Sequence, residues 1–232
     1  MNWEKFKSKF HPSWHSSIKP FIESKECDEI FVFLKQKKAE GIEICPSSFC
    51  LFSCFKNTKL DELKCVVIGE NPYNKIVDGA PIDTGTLFEA STRMQPNLQE
   101  FYRGIEKDLY NGLNLDIIYD YELEYLTSQG ILMMPSSLTI EENAEKGHNK
   151  LWKPFMEFLL VSVIGYSGVP ILFLGKSKQY MSLVEQSNYC YDLPMPKFGN
   201  IWDTKQVFSK INENVWDSNE DTIMWLKIKV PF

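Results

Sequence analysis

Two polar side chains that could act on a substrate follow directly after a short apolar run. Glu70 and Asn71 come after Cys65–Gly69, and Pro72 and Tyr73 complete the segment. A carboxyl group can exchange a proton, whereas an amide can hold a water molecule but cannot act as a general base. Asn71 is therefore a group that could place a water molecule, and Glu70 is one that could protonate a leaving group. The alternative is a turn in which Asn71 only ends the strand and Glu70 contributes its backbone.

Three further apolar runs each end in small, polar or basic residues. The run at residues 131–134 is followed by Pro135, Ser136 and Ser137. The run at residues 170–175 is followed by Lys176, Ser177 and Lys178. The run at residues 189–193 is followed by Pro194, Met195, Pro196, Lys197 and Phe198. Short apolar runs bounded by glycine or proline are typical of buried parallel strands. Because ligands bind beyond the carboxyl ends of such strands, we expect the four loops to form one site.

Helical periodicity fills the intervals between these runs. Apolar residues recur near helical spacing over residues 16–40, 98–109 and 151–164. Strands that alternate with helices predict an α/β fold with right-handed crossovers. Because the chain has neither an internal repeat nor a linker rich in Pro, Gly or Ser, we expect residues 1–232 to form a single domain.

Composition narrows the class of protein. The chain of 232 residues has 44% hydrophobic residues and a net charge of −6, and no apolar run is long enough to span a bilayer or to act as a leader. We therefore predict a soluble, cytoplasmic protein with no membrane partner. Arg93 and Arg103 are the only arginines, so phosphate contacts would come from lysine. The acidic balance argues against a nonspecific nucleic-acid coat but allows one locally basic face.

Six cysteines offer another kind of chemistry. Cys45, Cys50 and Cys54 fall close together, and Cys65 follows them. Four thiolates can hold an iron–sulfur cluster. However, the chain has no Cys-x2-Cys pair and Cys65 begins an apolar run, so we expect buried thiols, no metal and no cofactor.

Residues 58–73 resemble the segment that carries the water-activating motif of uracil-DNA glycosylases. That motif is usually Gly-Gln-Asp-Pro-Tyr-His and reads Gly-Glu-Asn-Pro-Tyr-Asn here. Further segments resemble the family in order along nearly the whole chain. They are Gly85-Thr-Leu-Phe88 for Gly-x-x-Phe, residues 130–139 for the strand ending in Asn-x-x-Leu-Thr, Trp152-Lys-Pro-Phe155 for Trp-x-x-Phe, residues 173–179 for the Trp-Gly-x-x-Ala-Gln strand end, and Pro194-Met-Pro196 for the Pro-His-Pro-Ser loop. The resemblance implies a three-layer α/β/α sandwich with a central four-stranded, mostly parallel sheet, a monomer, and DNA as the partner.

The resemblance also implies roles for individual residues. Tyr73 would form a wall of the base pocket and Phe88 would stack on the flipped base, with core packing as the alternative for both rings. Phe198 would be the wedge that fills the hole left by a flipped base, or else a buried loop anchor. Solvated helix faces would equally explain the lysines among the implied DNA contacts. Those contacts are Lys176, Ser177, Lys178 and Lys197.

The departures from the family fall at four positions of its pocket. The catalytic aspartate is replaced by Asn71, the histidine of the first motif by Asn74, the asparagine that reads uracil by Pro135, and the histidine that stabilises the departing base by Met195. Pro135 has no side-chain donor and no N–H, and Met195 offers an apolar wall, so neither residue can select uracil. Ser136 could supply a substitute hydrogen bond, or could simply cap the turn.

These features predict a DNA glycosylase that excises a base other than plain uracil, in repair or in antiviral defence. A modified base in foreign or phage DNA is one candidate substrate. The retained Tyr73 opposes a bulky C5 substituent, because in the family this tyrosine crowds that position. The alternative is a fold that has lost its chemistry and serves as a DNA-binding module or a protein partner.

Overall fold

Helices of moderate length surround a small central sheet. The structure is a computed structural model that describes residues 3–111, 113, 115–197, 199, 202–217 and 221–229. The α-helices are α1 (Trp3–Phe6), α2 (His15–Ile22), α3 (Lys25–Ala39), α4 (Ser53–Asn57), α5 (Pro96–Tyr110), α6 (Glu124–Thr127), α7 (Asn149–Phe158) and α8 (Val207–Asp217). The strands are β1 (Ile44–Cys45), β2 (Cys65–Gly69), β3 (Ile76–Val77), β4 (Ala80–Pro81), β5 (Ile117–Ile118), β6 (Ile131–Pro135), β7 (Ile140–Glu141), β8 (Ile171–Leu174), β9 (Cys190–Leu193) and β10 (Lys227–Ile228). Lys7–Lys9, Pro12–Trp14 and Gly175–Leu183 are 3₁₀-helical, and Leu159–Ile164 is π-helical.

The four predicted strands form one sheet, in the order β6-β2-β8-β9. Every pairing in this sheet is parallel, as the runs bounded by glycine and proline indicated. Strand β2 pairs with β6 on one side and with β8 on the other, so the chain reverses direction across the sheet at β2. The carboxyl ends of these strands therefore meet at a single edge, with the loops after β2 and β6 side by side.

Both faces of the sheet are covered by helices. Val66 and Ile68 of β2 pack in a cluster that includes Phe155 of α7. The alternate residue Val67 packs in a second cluster with Phe101 of α5. Because successive side chains of a strand point to opposite faces, a strand that is apolar throughout has to be covered on both sides. The fold is the three-layer α/β/α sandwich that the resemblance implied.

Local features set the element boundaries in two places. The helical pattern of residues 16–40 divides into α2 and α3, because Ser24 caps α3 by accepting the backbone N–H of Cys27 at 3.2 Å. The third strand ends at Leu174, because Gly175 has a φ of +64° and begins the 3₁₀ segment. No helix in the described part of the chain is long and apolar enough to cross a bilayer.

Candidate active site

A cavity of about 350 Å³ opens at the carboxyl edge of the sheet. This volume lies within the usual range for small-molecule sites. Its lining residues come from the loops after β2, β6, β8 and β9 and from the segment that leads into α5. They are Glu70, Asn71, Pro72, Tyr73, Asp83, Leu87, Phe88, Asn97, Pro135, Lys176, Met195, Pro196 and Lys197. We call this space the ring cavity. Most of the residues that the sequence singled out are brought together in it.

Two aromatic side chains form walls of the ring cavity. The hydroxyl of Tyr73 donates to the carbonyl of Phe88 at 3.4 Å, and burial raises the pKa of Tyr73 well above its usual value. Phe88 is buried, has a φ of +70°, and places its ring 5.3 Å from the ring of Phe101. A left-handed conformation is uncommon for a residue other than glycine and persists only where the surroundings enforce it. Both rings therefore have neighbours that hold their positions in the cavity wall.

The amide of Asn71 is oriented by two donors. Its Oδ1 accepts the backbone N–H of Gly147 at 3.2 Å and lies 3.4 Å from Nδ2 of Asn149. A backbone N–H can only donate, so the atom that faces Gly147 is oxygen and the amide nitrogen is free for a ligand. A Cβ on Gly147 would lie 2.5 Å from this oxygen, so a larger residue would push the Asn71 side chain out of this position. Asn71 can thus donate a hydrogen bond to a water molecule but cannot take a proton from it.

A buried hydrogen-bonded chain holds the loop that supplies these donors. The indole N–H of Trp152 donates to Oγ1 of Thr139 at 2.7 Å, and Oγ1 lies 2.9 Å from Nδ1 of His148. Because an indole can only donate, Oγ1 of Thr139 accepts the Trp152 proton, and the contact with Nδ1 of His148 is donated by one or the other of these two groups. Burial lowers the pKa of His148. The neutral ring therefore fixes the loop on either side of it, where Gly147 and Asn149 lie.

Glu70 connects the loop after β2 to the loop after β8. Its Oε1 accepts the backbone N–H of Lys176 at 2.9 Å, and its carbonyl accepts the backbone N–H of Ser137 at 3.0 Å. A Cβ on Gly175 would collide with the same carboxylate oxygen. The carboxylate thus has a structural partner, while its side chain still lines the ring cavity.

The positions that read and release uracil in the family lack polar groups here. Pro135 is buried at the end of β6 and pairs with Gly69 of β2, and Met195 packs beside the second apolar cluster. The Ser136 hydroxyl donates to the carbonyl of Glu70 at 3.1 Å. Ser136 therefore caps the turn and faces a neighbouring cavity rather than the ring cavity.

The predicted DNA-contacting residues occupy different environments. Lys176 and Lys197 are exposed and line the ring cavity, and Lys178 lies 3.8 Å from the Asp192 carboxylate. The side chain of Ser177 is fully buried, and its hydroxyl lies 2.7 Å from the carbonyl of Ile68. Ser177 could therefore contact DNA only through its backbone. Phe198, the predicted wedge, lies outside the described residues.

A second, larger cavity of about 720 Å³ adjoins the ring cavity. Glu70, Asn71 and Lys176 line both spaces and form the wall between them. Its other lining residues, which include lysines and acids, are Ser136, Glu145, Lys146, Asn149, Lys178, Gln179, Met181 and Asp192. Asn71 is therefore accessible from two sides.

Sequence reasoning missed Asp83, which is 4% exposed and lines the ring cavity. Its Oδ2 accepts the backbone N–H of Tyr73 at 2.6 Å and its Oδ1 accepts that of Gly85 at 2.8 Å. The Asp-x-Gly spacing is typical of a turn in which an aspartate accepts the N–H two residues on. The Asp-x-Gly turn could have been predicted from the sequence, but the hydrogen bond between Asp83 and Tyr73 could not.

The cysteines follow the expectation of buried thiols at four of the six positions. Cys27, Cys45, Cys54 and Cys65 are buried, and burial raises the pKa of Cys45 to about 11. Within the residues described, no group of three or more His, Cys, Asp or Glu side chains is placed to hold a metal ion.

The fold and the cavity together define an α/β protein with a cavity, walled by two aromatic side chains, at the carboxyl edge of a parallel sheet. The uracil-DNA glycosylase of Streptococcus pneumoniae serotype 19F (strain G54) is 25% identical over 228 residues, which cover 94% of this chain and 99% of that protein. The uracil-DNA glycosylase of Pseudomonas fluorescens (strain Pf0-1) is 28% identical over 169 residues, or 72% of this chain and 69% of that protein. The chain is therefore a distant homologue of uracil-DNA glycosylases over nearly its whole length.

Solved structures share the fold at still lower identity. Mimivirus uracil-DNA glycosylase matches with a TM-score of 0.78 at 18% identity, covering 97% of this chain and 89% of that one. The UNG of Nitratifractor salsuginis matches with a TM-score of 0.62 at 15% identity, covering 93% and 92%. No family model matches the chain.

Proposed function

We propose that this protein is a DNA glycosylase that flips a base other than plain uracil out of DNA and hydrolyses its N-glycosidic bond. The substrate is a modified base, with foreign or phage DNA as one source. In the reaction, the bond between C1′ and the base nitrogen breaks and its electron pair leaves with the base. The oxygen of water bonds to C1′, and the proton that this water loses balances the one that the departing base gains.

The observation that carries the proposal is a ring cavity that keeps its aromatic walls and has lost its uracil-reading groups. Tyr73 and Phe88 are held rigidly, so a flat ring can stack there, and stacking tolerates many bases. Pro135 and Met195 occupy the positions of the family's reading and releasing groups, and neither can donate a strong hydrogen bond. Without a donor, an anionic leaving base gains no electrostatic stabilisation from this side of the cavity.

The tyrosine limits which modified bases fit. Asp83 holds the backbone of Tyr73, and the Tyr73 hydroxyl donates to the carbonyl of Phe88, so moving the ring would break the second hydrogen bond. A large substituent on the base edge that faces Tyr73 is therefore disfavoured. A base that is modified on an edge facing away from Tyr73 would fit the cavity better.

A second candidate function is supported by the state of Asn71. Both acceptor sites of its oxygen face donors, and its nitrogen cannot accept a proton. A site that captures a base without general-base help could bind DNA and not cleave it. The protein would then act as a DNA-binding module or through a protein partner.

The deciding experiment is incubation with duplexes that carry unmodified and modified bases, including hypermodified phage DNA. Mass spectrometry detects released base, and alkali cleavage detects abasic sites. Release that Asn71→Ala abolishes supports the glycosylase proposal. Asn57→Ala, the same substitution at an exposed residue outside both cavities, is the matched control. Tight DNA binding without release from any duplex favours the second function.

A further inference from the structure

The buried carboxyl group of Asp83 is the least explained chemical group in the ring cavity. The residue is 4% exposed, yet it lines the cavity beside Tyr73 and Phe88. A carboxylate has about four acceptor sites on its two oxygens. The N–H groups of Tyr73 and Gly85 occupy one site on each oxygen. About two acceptor sites are left for a ligand in the cavity.

Each oxygen of Asp83 accepts only one N–H, and a further donor from a ligand would stabilise this buried charge. Burial raises the pKa of Asp83 to about 7, although the two N–H bonds partly oppose this. At pH 8 the group is therefore mainly a carboxylate. An exocyclic amino group directed at the carboxylate would satisfy it, whereas the carbonyl that uracil carries at that same ring position would face a like-charged oxygen.

The other cavity walls increase the importance of this carboxylate. Pro135 and Met195 replace the family's polar reading groups and offer no strong hydrogen bond. Tyr73 already directs its hydroxyl to the Phe88 carbonyl. Discrimination between flat rings therefore falls to the polar groups that remain, which are Asp83 beside the two aromatic walls and the side chains of Glu70, Asn71, Asn97, Lys176 and Lys197.

We propose that Asp83 is a specificity-determining residue, which accepts a hydrogen bond from an exocyclic amino group of the flipped base. The ring cavity then takes amino-bearing bases, of which cytosine derivatives are the smallest, in preference to uracil. This inference rests on the base capture contained in the proposed function. It does not require that the captured base is cleaved.

A purely structural role is the competing account, because the same carboxylate joins the loop after β2 to the turn at Gly85. That role would affect the capture of every base equally. Binding that depends on the amino group of the base would support the specificity role, because a structural role predicts no such dependence.

The experiment compares duplexes that differ in one nucleotide placed opposite thymine. The nucleotide is cytosine, uracil, 2-pyrimidinone, which is cytosine without its amino group, or a tetrahydrofuran abasic analogue. Dissociation constants are measured at pH 8 with 2′-fluoro target nucleotides, which resist hydrolysis. The wild-type protein is expected to bind the cytosine duplex about tenfold more tightly than the 2-pyrimidinone and uracil duplexes, as for a hydrogen bond to a charged group.

A variant and its matched control test whether Asp83 causes the preference for cytosine. Asp83→Asn should reduce the difference between cytosine and 2-pyrimidinone to about twofold or less. Asp108→Asn is the matched control, because Asp108 also accepts two backbone N–H groups, those of Phe208 and Ser209, and does not line the ring cavity. It should keep the wild-type preference. Melting curves establish that each variant is folded.

Equal binding of cytosine and 2-pyrimidinone by the wild type would overturn the inference, whether or not Asp83→Asn folds. A preference that survives in folded Asp83→Asn would overturn it too, as would equal weakening for all four duplexes. Base release with no dependence on the amino group would leave the proposed function intact and remove only this inference. An amino preference without release from any duplex would keep the inference and favour the binding function.

Discussion

The side-chain oxygen of Asn71 accepts the backbone N–H of Gly147, a residue 76 positions further along the chain, at 3.2 Å. This contact decides what Asn71 can do, because it directs the amide nitrogen toward a ligand. It also places a second donor, Asn149, within reach of the same oxygen. The pair of donors would stabilise a negative charge at position 71, although the chain has no carboxylate there.

Asn71→Asp should therefore increase the rate of base release. A carboxylate at this position would accept from Gly147 and Asn149 and could take a proton from water. General-base assistance contributes roughly 10² to 10⁴-fold, so we expect about a 100-fold gain in single-turnover rate on the base that the wild type releases. Asn57→Asp offers the control, since it adds the same charge at an exposed residue outside both cavities. An unchanged rate in Asn71→Asp would mean that water activation does not limit the reaction.

Activity on uracil should be negligible in the wild-type protein. Pro135 and Met195 provide neither edge reading nor stabilisation of a uracil anion. The double change Pro135→Asn and Met195→His should raise uracil release measurably, while the retained Asn71 keeps it below that of an ordinary family member. Uracil release from duplex and single-stranded DNA, run beside an ordinary uracil-DNA glycosylase, measures both effects. A wild-type rate comparable to that enzyme contradicts the prediction.

Phe88→Leu should weaken base capture and leave backbone binding nearly unchanged. Leucine keeps much of the packing against Phe101 but removes the stacking face, which is worth roughly 1–3 kcal/mol per base. Affinity should fall about tenfold for a duplex with a flippable base and little for one with an abasic analogue. Equal losses on the two duplexes would assign Phe88 to packing alone. Phe158→Leu, on a helix away from the ring cavity, controls for the lost ring.

Charge reversal of the lysines at the carboxyl edge should reduce both DNA affinity and its salt dependence. Lys176→Glu, Lys178→Glu and Lys197→Glu each remove a cation from this edge, and each lost phosphate contact lowers the slope of log K against log salt by about 1. Lys59→Glu is the control, because Lys59 lies on the segment that leads into the amino end of β2. Fluorescence anisotropy at several salt concentrations gives the slopes. Identical slopes in all four variants would place the DNA on another face.

The stability contributed by Asp83 should depend on pH in a defined direction. Burial raises its pKa from 3.8 to about 7 in the folded protein, so the folded state holds a proton that the unfolded state releases. Stability from this group is therefore fully present below about pH 4 and is lost as the pH rises to about 7. Relative to Asp83→Asn, the wild-type free energy of unfolding should fall by roughly 3 to 4 kcal/mol across that range, at 1.36 kcal/mol per pKa unit.

Urea denaturation of both proteins at several pH values measures this difference, and the subtraction removes the contributions of other groups. A difference that stays flat or rises between pH 4 and pH 7 would show that Asp83 is ionised throughout. Asp108→Asn, compared with the wild type in the same way, shows how much of the slope is specific to position 83.

The sequence by itself determined the sheet and the edge at which the site lies. Continuous apolar runs such as Cys65–Gly69 can be buried only between two layers, and this property is local to each run. The family motif then located Asn71, Tyr73 and Phe88, because their spacing along the chain is short. The losses at positions 135 and 195 were readable because each position lies within a short family motif of its own.

Only the tertiary structure decided how those side chains are used. The orientation of Asn71 depends on Gly147, the burial of Ser177 on the carbonyl of Ile68, and the place of Asp83 in the cavity on the N–H of Tyr73. Each of these contacts joins residues from different loops or strands, and a hydrogen bond of this kind leaves no periodic trace in the sequence. The chemistry of the cavity therefore became visible only when the folded chain brought those residues together.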